Sequence, residues 1–352
     1  MRKPRGIRQM VMAVCLAASG CVSPSGTDST FDRTQLQRRA LTCLKAGIGY
    51  EANPVVRVEA VEALEQSDDP QRLAWIRSAM LDEHPAVRFA ACLSTGRARD
   101  TLAESTIARC LEDPDANVRI AALFARHRLG ETDQTGYMTT YLLESDEITV
   151  RRNAALVLGL LEDKSAVKVL ARAMRDPDPG VRHHALEAMA RLGNADAKKE
   201  LSFMANAGVG TEETFALQAL AATGDRSYID TFRYKLANAS HTETRLAAAR
   251  ALGLLGSDEG LAAALGALND ASGLRNEPGD SPGDQLLRRR QLAASALGAI
   301  GRDDAFPTLE KWLENRSDPR VQVSAAGAIL EIDRRSRSKS SAFPVKPVGE
   351  RR

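Results

Sequence analysis

His183 and His184 stand together in this sequence, with Glu187 one helical turn further on. His183 and Glu187 are four residues apart, a spacing that sets two ligands on one helix face as half of a zinc-type site. The corresponding places in the following sequence hold Phe215 and Ala247. With no further ligand there, the pair reads as solvated helix surface and no metal is assigned. His84, His127 and His241 have no companions. Cys43, Cys92 and Cys110 are an odd number without CxxC spacing and read as buried free thiols. No GxSxG, no HExxH and no phosphate-cradling glycine loop occurs. No catalytic residue or cofactor is assigned, and the chain is expected not to be an enzyme.

The elements that carry these side chains are repeated. The phrase Val-Arg-x-x-Ala recurs around Arg57, Arg88, Arg119, Arg151 and Arg182, at steps of 31, 31, 32 and 31 residues. The register continues through Glu213, Arg245, Arg290 and Gln322. Three residues after every mark stands alanine: Ala60, Ala91, Ala122, Ala154, Ala185, Ala216, Ala248, Ala293 and Ala325. A fixed period of this length is the signature of stacked supersecondary units. Each unit reads as two helices, the second beginning near the mark with apolar or small residues at three- and four-residue spacing. Gly130, Gly193, Gly224, Gly256 and Gly301 lie eleven residues after their marks and suit a left-handed helix cap. First helices stop at turns such as Asp113-Pro114, Asp176-Pro177 and Asp318-Pro319. Aromatic residues make up only 4% of the chain, which favours close-packed helices over sheets or base-stacking surfaces.

This pattern resembles HEAT repeats, in particular the short form named after phycobilisome lyases. The resemblance implies an all-α, right-handed α-solenoid of about nine two-helix repeats over residues 34–333, with the second helices lining its concave face. It also implies a structural role for the marked arginines, each paired with an Asp of the preceding turn. Asp82, Asp113 and Asp176 stand six residues before Arg88, Arg119 and Arg182. The ladder weakens at Ser145, Ala239, Glu213 and Gln322; a basic ligand stripe is the lesser reading of the row. On the concave side, residues two, five and nine past each mark share a helix face. There Leu93, Phe124, Leu156 and Phe215 form an apolar row flanked by Arg97, Arg128 and Arg191. Two readings compete for it: a groove floor for a partner protein or peptide, or packing between repeats. An insertion at about residues 270–285 reads as an exposed loop, either tolerated drift or a second partner contact.

The ends have a different composition. Arg2, Lys3, Arg5 and Arg8 precede the short apolar run Met10 to Ala18, which suits a secretory signal and is too short to span a bilayer. Ala18-Ser19-Gly20 before Cys21 resembles the lipobox of bacterial lipoproteins, with Ala18 where Leu is usual. That resemblance implies a signal over residues 1–20, lipid chains on Cys21, and a flexible tether through residue 33; an ordinary secretory signal is the alternative. Val22 after the cysteine implies the outer membrane, facing the periplasm, in a Gram-negative cell. Residues 334–352 carry seven basic residues against Glu350 alone and read as a disordered basic tail. Its partners would be anionic lipid headgroups or cell-wall polymers, though a purely solubilising role fits equally.

The net charge of +2 therefore averages unlike parts, and the array between the ends carries −7. An acidic, exported array is not expected to bind nucleic acid. The sequence reading is a lipid-anchored scaffold of the bacterial cell envelope that binds a partner protein; the alternative is a chromophore-handling protein like the bilin lyases. Labelling cells with a palmitate analogue is expected to mark the wild-type protein and not Cys21→Ser. A label that persists in the variant overturns the anchor.

Overall fold

The structure, a computed structural model, describes residues 28–131, 134–276 and 278–341. The proposed signal and the lipidated Cys21 lie outside the described residues. Nine outer helices are α1 (Asp28–Ile48), α3 (Gln71–Ala79), α5 (Glu104–Leu111), α7 (Thr135–Glu144), α9 (Val167–Ala173), α11 (Ala195–Met204), α13 (Ile229–Asn238), α15 (Leu261–Asn269) and α17 (Phe306–Glu314). They alternate with nine inner ones: α2 (Pro54–Leu64), α4 (Pro85–Ala98), α6 (Ala116–Arg128), α8 (Ile148–Leu161), α10 (Pro179–Arg191), α12 (Gly210–Ala222), α14 (Thr242–Leu254), α16 (Pro282–Ile300) and α18 (Pro319–Ser341). Each outer helix packs on the inner helix that follows it, giving the all-α solenoid its two layers.

Local chemistry explains where the inner helices begin and end. Asn53, Asp115, Asp178 and Ser281 cap α2, α6, α10 and α16 by accepting from backbone N–H groups of the first turn. Proline occupies the first turn of α2, α4, α10 and α16, where its missing N–H costs no hydrogen bond. All five glycines eleven past a mark have positive φ, from 68° to 117°. In two repeats without that glycine, Arg99 and Glu162 take the same place at φ 50° and 60°. At these seven repeats the position is left-handed, at a cost of about 1–2 kcal/mol for a side chain, whereas Asp68 and Asp333 stand there in the first and last repeats without positive φ.

All nine alanines three past the marks are fully buried. They and their small neighbours set how closely inner helices approach. A Cβ on Gly159 would lie 2.8 Å from Ala188 Cα, and one on Gly253 would lie 2.7 Å from the Ile300 backbone nitrogen. No larger side chain fits without parting the helices.

The stack closes on itself. Inner helices pack in the order α2, α4, α6, α8, α10, α12, α14, α16, α18, and α18 then packs on both α2 and α1. The seam repeats the ordinary contact between repeats: Ala63 Cβ lies 3.0 Å from where a Cβ on Gly327 would be. Polar bonds fasten it. Arg33 reaches Asp333 and Asp303 (3.1 and 3.0 Å), and Arg39 reaches Glu310 and Glu314 (both 2.5 Å). The array is therefore a ring, where the sequence suggests an open arc with a groove.

Three boundaries move. Helix α1 starts at Asp28, inside the proposed tether, because Arg33 belongs to the seam. Helix α18 runs to Ser341, so the first eight residues of the proposed disordered tail are helical. The insertion ends at Ser281, since residues 282–285 open α16. It is also pinned: Gln285 donates to the Arg275 and Asp280 carbonyls, and Arg289 to those of Asp270 and Ser272.

Closure has a direct test. In Ala63→Cys/Gly327→Cys, mild oxidation is expected to link residues 264 apart in sequence, giving a compact band on a non-reducing gel. A pair that stays reduced, in a folded protein, means the ring is open.

Candidate functional site

Two surfaces of the ring carry organised polar chemistry: the rim of turns between outer and inner helices, and the lumen. On the turn rim, Arg57, Arg88 and Arg151 each clamp two successive turns. Arg88 donates Nη1 to the Asp82 and Glu83 carbonyls of its own turn (2.9 and 3.0 Å). Its Nε and Nη2 reach the Asp113 carboxylate of the next turn, both at 2.8 Å. Arg151 does the same with Ser145 O, Asp146 O and the Asp176 carboxylate, and Arg57 reaches Asp82 (2.9 Å). The carboxylate partner is thus twenty-five residues after the arginine. The sequence pairing of Asp82, Asp113 and Asp176 with Arg88, Arg119 and Arg182 is off by one repeat. Those arginines take only the carbonyls of the turns that these aspartates begin. Each aspartate also accepts from the backbone N–H two residues on, which is why a short acidic side chain belongs there.

At three repeats a residue twenty-two after the mark takes the partner's part. Arg119 bonds the Tyr141 hydroxyl (2.9 Å), and the Arg290 guanidinium lies 4.2 Å over the Trp312 ring. At the sixth repeat the charges invert: buried Glu213 accepts from buried Lys235 (2.6 Å) and from the Gly208 N–H. Sequence reasoning missed Tyr141, Lys235 and Trp312, although their common offset from the marks is visible once the partner position is known.

Residues two, five, nine and twelve past the marks face the lumen. One contact that skips an inner helix, joining positions one and two past their marks, supports this, and a second between neighbouring inner helices agrees. Gln291 of α16 donates to Glu59 of α2 across α18 (2.7 Å), and Arg334 of α18 reaches Gln66 (2.8 Å). The expected apolar floor is not there. Leu93 and Phe124 are buried, and the Phe124 ring lies 2.8 Å from where a Cβ on Gly96 would be. They pack between repeats. Leu156 and Phe215 are half-buried, and Phe215 stacks on His183 with ring centroids 4.7 Å apart. His184, rather than His183, faces Glu187 (3.8 Å). Among the described residues no group of three His, Cys, Asp or Glu side chains is placed to hold a metal ion.

The flanking arginines do reach the lumen. Arg97 is exposed and pairs with Glu65 (2.8 Å), Arg191 pairs with Glu187 (2.8 Å), and Arg128 is half-buried. Burial pushes the Glu59 carboxyl up to about 7, against the Gln291 bond and the Arg320 charge that favour its ionised form. Near the seam a cavity of about 500 Å³ is lined by Cys43, Gly47, Tyr50, Val56, Leu313 and Val323, among others. Burial raises the Cys43 thiol to about 11, which leaves it a poor nucleophile.

With this geometry in place, comparison with known proteins is informative about the fold. The family description of HEAT repeats matches residues 41–126 and 138–209. Those two segments are HEAT repeats. Human deoxyhypusine hydroxylase, solved in complex with glycerol, is 16% identical; the match covers 87% of this chain and 99% of that one, at a TM-score of 0.37. The complex of CpcE and CpcF of phycocyanin lyase from Nostoc sp. PCC7120 is also 16% identical, covering 80% and 100%, at a TM-score of 0.43. No curated protein matches the chain in sequence. The helices of the HEAT array include none, among the described residues, long and apolar enough to cross a membrane.

The turn ladder of the array has a pH signature. Burial alone would raise the Asp113 carboxyl, but the bonds from Arg88 and the Asp115 N–H, with the charges of Arg88 and Arg119, hold it below its ordinary value. A lowered folded-state pKa contributes stability that is present above the ordinary carboxylate value, about 4, and is lost as pH falls through the folded value. Asp113→Asn is expected to cost about 1–3 kcal/mol at pH 7. The difference from wild type should shrink by about pH 2 in thermal melts followed by circular dichroism. A cost independent of pH would remove the ionic account of the ladder.

Proposed function

We propose that the protein is a lipid-anchored scaffold of the bacterial cell envelope that holds a partner protein on the rim of its turns. The supporting observation is where exposed large apolar side chains collect. Of the nine exposed large apolar side chains among the described residues, five, Tyr50, Val55, Leu81, Ile148 and Val209, lie in or beside turns between outer and inner helices, while Leu102, Tyr137, Phe203 and Tyr234 lie on or just ahead of outer helices. Exposed Glu51, Glu83, Asp146 and Glu147 stand among them. Apolar residues set in a charged surface suit a protein contact, and the acidic background selects a partner segment that is basic as well as apolar. This relocates the partner from the concave row of the sequence reading, whose apolar members Leu93 and Phe124 are spent on packing.

The chain ends fit the same arrangement. Helix α1 begins and α18 ends at the rim opposite the turns, since the two run antiparallel: Arg33 meets Asp333, while Gly47 lies against Val323. A lipid on Cys21, a few residues before Asp28, would tie that rim to the bilayer and turn the acidic rim away from it. Lys346, Arg351 and Arg352, leaving from the same rim, would add attraction to anionic headgroups, a second signal that makes single attachment points hold. Catalysis has no part in this reading.

Crosslinking in intact cells followed by mass spectrometry tests it. Leu81→Glu and Ile148→Glu change exposed positions and should leave the melting temperature within about 2 °C of wild type. They are expected to lose crosslinks that the wild-type protein makes. Unchanged crosslinks in both variants would rule out the turn rim as the binding surface.

A further inference from the structure

The lumen holds an arginine to which no carboxylate among the described residues is bonded. Two of the arginines that face it have carboxylates of their own: Arg191 with Glu187 (2.8 Å) and Arg335 with Glu331 (3.0 Å). Half-buried Arg250 on α14 has none; its only hydrogen bond gives Nε to the Ser295 hydroxyl at 2.8 Å. A hydroxyl satisfies a donor and leaves the charge standing. The guanidinium is surrounded by the other groups of the lumen wall. Burial pulls it below its ordinary value, Glu331 opposes that effect, and the like charges of Arg335 and Arg191 add to it. Two of the three cations are offset by Glu187 and Glu331, and the charge of Arg250 is left over.

The wall around Arg250 is also bare. On one side α16 offers Ser295 and Gly298, and Glu331 Oε2 lies only 2.6 Å from where a Cβ on Gly298 would be. On the other side the lumen positions of α12 fall at Gln218 and Ala222. Glu331, bonded to Arg335, sits against Gly298 one turn from Ser295, so α18 brings one cation and one carboxylate to the neighbourhood of Arg250, and Arg191 of α10 is close enough for its charge to act there. Three planar forks of donors against two carboxylates leave one surplus positive charge, which matches the oxygens of a carboxylate or phosphate.

We propose that the lumen binds a small oxyanion, a carboxylate- or phosphate-bearing molecule, on Arg250 with Arg191 and Arg335 beside it. The site is separate from the turn rim, and binding there does not require the partner contact or the lipid anchor. A bound oxyanion supplies Arg250 with the charged partner that the Ser295 hydroxyl does not. Binding to the folded ring alone raises its stability in proportion to ligand occupancy.

The test uses the folded protein from Asp28 onward with its C-terminal segment, titrated with inorganic phosphate and, separately, with citrate. Ionic strength is held constant with chloride. At 10 mM, either anion is expected to raise the wild-type melting temperature by about 3 °C or more. Isothermal titration should show Arg250→Gln weakening that binding at least tenfold. Response to phosphate alone, or to citrate alone, supports the site and names its ligand class. Should Arg250→Gln fail to fold by circular dichroism, Arg335→Gln decides, with at least threefold weaker binding expected. The proposal is overturned if neither anion shifts the wild-type protein more than chloride does. It is equally overturned if the folded variant binds like wild type.

Discussion

A stack of two-helix repeats has two ends, and each end leaves a helix face that would have been covered by the next repeat. Solenoids commonly meet this with terminal repeats whose outer face is polar. In this chain the two faces cover each other. Helix α18 lies on α1 and α2 as any inner helix lies on its neighbours, with Gly327 against Ala63 and Gly47 against Ala60 and Val323. Ala60, Val323, Ala325 and Ile329 are buried accordingly. The rest of the architecture depends on that contact. It sets the number of repeats that fit, replaces a groove by a lumen, and brings the chain ends to one rim.

The features of the fold that repeat were legible in the sequence, and those that occur once were not. Alanine three past each mark reports a contact made nine times, so its register survives even where the arginine is lost. The left-handed cap was equally plain at five glycines, and its geometry extends to Arg99 and Glu162, where side-chain identity hides it. Closure has no periodic signal. It arises from a small rotation per repeat that accumulates around the ring, and its bonds join residues such as Arg33 and Asp333, which are 300 apart. The arginine ladder was half legible: the right residue types were found, but the carboxylate six residues back and the one twenty-five ahead are equally regular in sequence. Geometry chooses the latter, because the arginine's own turn presents carbonyl oxygens to it and the next turn presents the carboxylate.

The concave row shows a further limit of pattern reading. A helix-face stripe of Leu93, Phe124, Leu156 and Phe215 looks the same whether it floors a groove or fills the space between helices. The difference lies in the neighbour: Gly96 on α4 leaves a hollow that the Phe124 ring occupies. Glycine opposite an aromatic one repeat later is a local signal for packing, and it was available before any coordinates. Arg250 was invisible for another reason. Its importance comes from having a hydroxyl and no carboxylate bonded to it among other charged groups, which depends on what α10, α16 and α18 place nearby and not on its own position in the repeat.

Charge separates the two polar surfaces by how it is used. On the turn rim Asp82, Asp113 and Asp176 are each met by an arginine and a backbone N–H, so ionisation there is spent on holding successive repeats together. The exposed acids around that rim remain for contact with other molecules. In the lumen, low access to water raises Glu59 and lowers Arg250, which disfavours the ionised form of each. Such a surface gains from a ligand that supplies the missing charge, whereas the rim gains from a partner that covers apolar residues and brings cations. A closed ring keeps these two kinds of recognition apart: a folded protein can reach the rim, while the lumen is left to molecules small enough to enter it.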